Sequence, residues 1–196
     1  MLKKIIALAL VIMGLVGIMI PAAMAENTNV RKYSSPVTMY VKTQNGGPLN
    51  VRTAPVITKT NCIGQINYGK AVKVIGTAAS SSDWVAISFN NRTAFVMVQY
   101  LSSVKPTKAE TEQAYITHQM NHFKVITNRF AVIAHPENPA TGWVNFRSQP
   151  GTGKNVITKL NEGRVLTVTG ETPEWYQAID SVTGKTGFVS KAYVTK

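Results

Sequence analysis

Cys62 is the only cysteine in 196 residues, so no disulfide can form within the chain. A small domain of this kind must be held by its core alone. Acidic residues are scarce: nine Asp and Glu stand against 21 Lys and Arg, for a formal net charge of +12. The sparse acids supply no pair of carboxylates of the kind that glycoside hydrolysis uses. A glycine-rich phosphate loop is also missing. The basic residues are spread rather than blocked, which favours a well-solvated basic surface over a dedicated anion site.

Long apolar runs are confined to the N-terminus. Lys3 and Lys4 precede an apolar stretch from Ile5 to Ile20, followed by Pro21 and by Ala23-Met24-Ala25. A charged start, an apolar centre and a small-residue site read as a secretory signal peptide over 1–25, cleaved after Ala25. The alternative is an uncleaved anchor, but the run is near the lower limit for a span. With no cysteine behind it, lipid attachment is not expected. Export places the remainder outside the cytoplasm, secreted, periplasmic or associated with the envelope. That disfavours nucleic acid as the partner of the basic surface and points to anionic envelope polymers.

What the chain does have is repetition. LNVRTAP at 49–55 is matched by VNFRSQP at 144–150, and NCIGQINYGKAVKVIG at 61–76 by NVITKLNEGRVLTVTG at 155–170. Trp84 and Trp175 each open a short apolar strand, and the copies close on AFVMVQYL (94–101) and GFVSKAYV (187–194). The runs MYVKT (39–43) and AVIAH (131–135) precede the two motifs. A tandem is therefore expected. Each copy holds short period-two runs separated by turn residues, which predicts an all-β fold of two small barrels. Asn90-Asn91, between VAISF and TAFV, predicts a tight hairpin with positive φ. Alternation puts Val85, Ile87 and Phe89 on one strand face and Trp84 on the other.

Taken together, the Asn-x-Arg motif, the Gly-basic turn, the Trp-initiated strand and the closing GFVSKAYV resemble the bacterial SH3-type (SH3b) domain family. The resemblance covers about 37–102 and 128–195. It implies SH3-like barrels that recognise cell-wall material, typically peptidoglycan peptides. The first copy departs in carrying Ala94 where the second has Gly187, and Asn90-Asn91-Arg92 in place of a glycine-containing hairpin. The expected organisation is a linker at 26–36, a first domain at 37–103, a linker at 104–127 and a second domain at 128–196. In the linker, Thr107-x-x-Glu110 after Pro106 is a capping box, and Ile116, Met120 and Phe123 fall at helical spacing. One helix over about 107–122 is predicted, its apolar stripe packed on a barrel.

Few residues suggest chemistry. His118-Gln119-Met120-Asn121-His122 has the histidine spacing of zinc peptidases, but Gln119 stands where the general base must be. His135 is the nearest candidate for a third ligand. Cys62 is similar to the nucleophile of papain-like wall peptidases that carry SH3b domains, yet it aligns with Val156 in a strand and is expected in the core. No enzyme, metal or other cofactor is expected. Asn50, Arg52, Asn145 and Arg147 are expected to be structural, the asparagines fixing a turn through backbone hydrogen bonds and the arginines meeting a carbonyl or acid. Trp84 and Trp175, with Tyr100 and Tyr193, are the candidates for an aromatic ligand groove; the competing expectation is that they only cover the core. The sequence thus leaves two functions open: a wall-binding module, or an envelope protein whose barrels bind a partner such as a wall hydrolase.

Overall fold

A computed structural model describes residues 29–127, 130–134 and 142–195. The expected signal peptide and His135 lie outside the described residues. The chain forms two antiparallel sheets, each curled into a small SH3-like barrel, with one helix between them. Barrel 1 contains β1 (Val30–Val41), β2 (Leu49–Arg52), β3 (Cys62–Ile66), β4 (Ala71–Ala78), β5 (Trp84–Phe89), β6 (Arg92–Met97) and β7 (Leu101–Ser102). Helix α1 (Lys108–Asn121) follows. Barrel 2 contains β8 (Lys124–Val125), β9 (Ala131–Ala134), β10 (Trp143–Arg147), β11 (Val156–Asn161), β12 (Val165–Glu171), β13 (Trp175–Asp180), β14 (Thr186–Ser190) and β15 (Val194–Thr195).

The strand orders are the same: β3-β2-β6-β5-β4-β1-β7 and β11-β10-β14-β13-β12-β9-β15, with β8 added beside β12. Irregularities recur too, with a register shift between Val74 and Gly76 in one copy and between Val168 and Gly170 in the other. The sequence repeat is therefore a structural repeat. Two boundaries differ from expectation. β1 reaches back to Val30, where it pairs with Ala78, and β8 lies inside the stretch expected as linker.

Each barrel closes on an apolar interior. In barrel 1 it includes Val41, Val51, Val74, Ile87 and Val96; in barrel 2, Val132, Phe146, Leu160, Leu166 and Val168. The departure at Ala94 is explained by its neighbour. A Cβ on Gly187 would lie 2.9 Å from the Phe146 ring. At the position of Phe146 barrel 1 has the smaller Val51, so Ala94 fits, fully buried. Volume is conserved across the pair rather than at each residue.

β5 is buried on both faces. Val85 and Ile87 point into the barrel, while Trp84 and Ala86 join Ala78 and Phe95 in a separate cluster. Asn90 and Asn91 take φ of 49° and 60°, the left-handed pair that a two-residue hairpin requires. Two expectations fail. Cys62 is exposed rather than in the core, because β3 is an edge strand and the alternation turns its thiol outward; Val156 is exposed as well. Met120 is also exposed, and the side chain buried on α1 beside Ile116 is polar Gln119.

Candidate binding groove

The helix begins where the capping box places it. Thr107 Oγ1 accepts from the Glu110 amide at 3.1 Å, and Glu110 Oε2 accepts from the Thr107 amide at 2.8 Å. That backbone bond, then the Thr107 hydroxyl and Lys42, hold the Glu110 carboxyl below its usual range. From this start α1 runs between the barrels. One face meets barrel 1, with Ala114 against Gly46 and His118 against Gly47. A side chain at Gly46 would collide with the Ala114 backbone, so the approach depends on that glycine. The other face meets barrel 2 through Glu112, Tyr115, Ile116 and Gln119.

On barrel 1 a groove of about 340 Å³ remains open. Its apolar surface comes from Leu49, Ile57, Trp84, Met97 and Tyr100, and its polar surface from Gln44, Asn45, Asn50 and Arg52. Trp84 is brought there by the first position of β5, and Tyr100 by a 3₁₀ turn at Val98–Tyr100. Among the described residues the Trp84 indole nitrogen has no hydrogen-bond partner. Thr43–Pro48 form one wall, shaped by the Asn45 side chain accepting from the Gly47 amide at 3.1 Å. The other side of this loop rests on α1.

The arginines hold the loop that follows them. Arg52 Nη1 donates to Asn61 Oδ1 at 2.7 Å and to the Thr58 carbonyl at 3.0 Å. Arg147 Nη1 repeats this with Asn155 Oδ1 at 2.8 Å and the Gly153 carbonyl at 3.0 Å. Burial lowers the Arg147 pKa from its ordinary value, opposed by the charge of Glu112 on α1. The asparagines of the motif do not fix this turn. Asn50 Oδ1 instead accepts from Gln65 Nε2 across β2 and β3 at 2.9 Å, and Asn145 sits opposite Lys159 in the β10–β11 pair. The turn is held by Asn61 and Asn155, which sequence reasoning passed over although they stand at matching places in both copies.

In barrel 2 the corresponding face is covered. Trp175 Nε1 donates to the Tyr115 hydroxyl at 2.8 Å, and that hydroxyl donates to Glu174 Oε2 at 3.0 Å. Burial, and then Glu174, push the Tyr115 pKa up to about 12 against the indole's opposing effect, so the hydroxyl stays protonated. Gln119, 1% exposed, accepts from the Thr172 hydroxyl at 2.8 Å and the Glu174 amide at 3.1 Å, and donates to Glu174 Oε1 at 3.2 Å. Tyr193 packs against the barrel 2 interior. Tyr100 packs against the barrel 1 interior in the same way, so the division falls between the tryptophans: Trp84 lines an open groove with Tyr100, while Trp175 is bonded to the helix.

The histidines of HQMNH lie against one another. Their rings meet edge to face at 4.7 Å, and His122 Nδ1 lies 2.8 Å from the His118 carbonyl. Among the described residues no group of three or more His, Cys, Asp or Glu is placed to hold a metal.

Strand order and turn chemistry define the class as SH3-like barrels. Residues 137–195, within barrel 2, match the bacterial SH3 domain family. No curated protein matches the chain. Among solved structures, NlpC2 from Trichomonas vaginalis aligns over 84% of this chain and 49% of its own, at 8% identity and a TM-score of 0.31. NlpC1 from the same organism aligns over 84% and 47%, at 7% identity and a TM-score of 0.31. The chain thus spans about half the length of each.

Proposed function

We propose that this is an exported, non-enzymatic wall-binding protein, and that the groove of barrel 1 holds an extended peptide of peptidoglycan. On this reading barrel 1 is a second domain of the bacterial SH3 type, and the signal peptide is removed. The observation that carries it is the open groove: a flat indole and a phenol beside amide and guanidinium groups, on a fold whose sister copy matches the bacterial SH3 family. Thr58 stands in barrel 1 where Gly153 stands in barrel 2, and the adjoining Ile57 projects 65% exposed. Ile57 lines the groove and offers apolar contact to an extended chain. The basic surface adds long-range attraction to an anionic wall.

The test is sedimentation of the chain from Glu26 with purified sacculi across a salt series. Binding that persists at moderate salt and falls about tenfold in a folded Trp84→Ala variant, the scale of losing a buried aromatic contact, supports the groove. Binding that vanishes with salt and ignores Trp84 reduces the interaction to surface charge. A second reading, in which the groove holds an envelope protein, draws support from barrel 2, whose matching face already holds a protein segment. Co-purification of such a partner without retention on sacculi favours it.

A further inference from the structure

We infer that barrel 2 carries a second ligand groove and that helix α1 holds it shut. The inference rests on the wall-binding reading for its choice of ligand, but its geometry is independent of that reading. Where both are described, the two faces are built alike. Asp83 and Glu174 occupy the same strand entrance, since the Asp83 carbonyl accepts from the Val98 amide and the Glu174 carbonyl from the Lys191 amide, each at 2.9 Å. Trp84 and Trp175 follow directly. The arginine and asparagine that hold the groove loop are repeated as well. Among the described residues, barrel 2 repeats the strand entrance, the Trp and the loop-holding Arg-Asn pair of the barrel 1 groove.

What differs is the occupant. Tyr115 gives the Trp175 indole an acceptor, and Gln119 brings a carboxamide whose oxygen takes two donors while its nitrogen serves Glu174. A side-chain amide carries the same donor and acceptor as a peptide unit. The helix therefore fills the groove with the chemistry that a bound peptide would bring. The helix lies close against the groove loop: a Cβ on Gly151 would be in van der Waals contact with Ile116 at 3.5 Å, and one on Gly153 would meet the Glu112 carboxylate. Because α1 is joined to β8 by two residues, it competes at the high local concentration of a tethered ligand. Free peptide gains the groove only when the helix leaves, which lowers its apparent affinity by the fraction of open molecules.

The experiment uses the chain from Glu26 with purified sacculi as the probe, in a Trp84→Ala background that silences barrel 1. Adding Tyr115→Ala and Gln119→Ala is expected to restore binding by about tenfold or more, as the closed fraction empties. A further Trp175→Ala is expected to abolish what was restored. Amide exchange across β12, β13 and β14 reports whether barrel 2 stays folded. A folded, unlocked chain that still fails to bind overturns the inference. If the double change unfolds barrel 2, Tyr115→Phe keeps the ring and removes only the hydroxyl; a smaller gain sustains the inference and no gain overturns it. Should the unaltered chain not bind while the unlocked chain binds through Trp175, the reading of barrel 1 falls and the masked groove stands. Absence of binding in both defeats both. Should Trp84→Ala leave binding intact, the barrel 1 reading falls, and the masked groove stands or falls on whether unlocking adds Trp175-dependent binding.

Discussion

The two barrels share strand order, register shifts and loop-holding arginines, yet one packs its Trp, 7% exposed, along an open groove and the other bonds its Trp to a helix. The difference is not in the tryptophans. It lies in the loops beside them and in what the chain places next to each. Barrel 2 follows α1, and its groove loop, with Gly151 and Gly153, lies against the helix. Barrel 1 carries Val56, Ile57 and Thr58 in that loop, and α1 meets this barrel elsewhere, at Gly46, Gly47 and Gly69 and through the Lys42–Glu110 pair. Duplicated scaffolds thus acquire different surfaces through changes that leave the fold intact.

The largest effect is expected at Trp175. Trp175→Ala removes a side chain 5% exposed, and with it the donor to Tyr115; it is expected to cost about 3–5 kcal/mol in urea unfolding. Trp84→Phe loses packing but no hydrogen bond, and is expected to cost less stability than Trp175→Phe while weakening retention on sacculi. Equal stability losses at Trp84→Phe and Trp175→Phe would erase the distinction between the barrels.

Next comes the contact with barrel 1. Gly46→Val places a β-branched residue at φ of 70° and against the Ala114 backbone. Backbone strain alone costs about 1–3 kcal/mol. The outcome expected in X-ray scattering is a larger radius of gyration, as barrel 1 separates from α1 while barrel 2 keeps it. An unchanged radius would mean that the loop yields instead.

Gln119→Ala tests the barrel 2 side more narrowly. It strips an acceptor from the Thr172 hydroxyl, which is buried, and from the Glu174 amide, at about 1–3 kcal/mol for each group left unsatisfied. Calorimetry should find the loss confined to the unfolding of barrel 2 and α1.

The smallest effect concerns pH. The His118 Nδ1 is buried without a partner, and burial, then the neighbouring His122, hold its pKa below the ordinary value against the pull of Glu174. The unfolded chain therefore binds a proton more readily than the folded one. Stability is complete above the unfolded histidine pKa, about 6.5, and declines as pH falls below it, until the folded pKa is passed. Melting temperatures between pH 7.5 and 5 should fall less in His118→Asn than in the unaltered chain. A parallel decline in both would assign the sensitivity elsewhere.

Much of this was legible in advance because it is local. Hairpins, alternation and the capping box depend on residues a few positions apart, and each copy reads them the same way. The groove aromatics were legible only as candidates. Parity shows that Trp84 leaves the interior face, but not whether anything lies on the other side. Gln119 was passed over as a failed general base, and nothing in its neighbourhood marks it as buried. Cys62 misled because a small apolar residue in a strand suits a core, while exposure depends on whether that strand is at the edge.

The sequence by itself determined the two barrels, their turns and the helix, since periodicity and turn chemistry act over short stretches of chain. Only the tertiary structure decided which Trp lines an open groove and which is bonded to the helix. That depends on Tyr115 meeting Trp175 and on Gln119 meeting Glu174, approaches between segments far apart in the chain that no local pattern encodes.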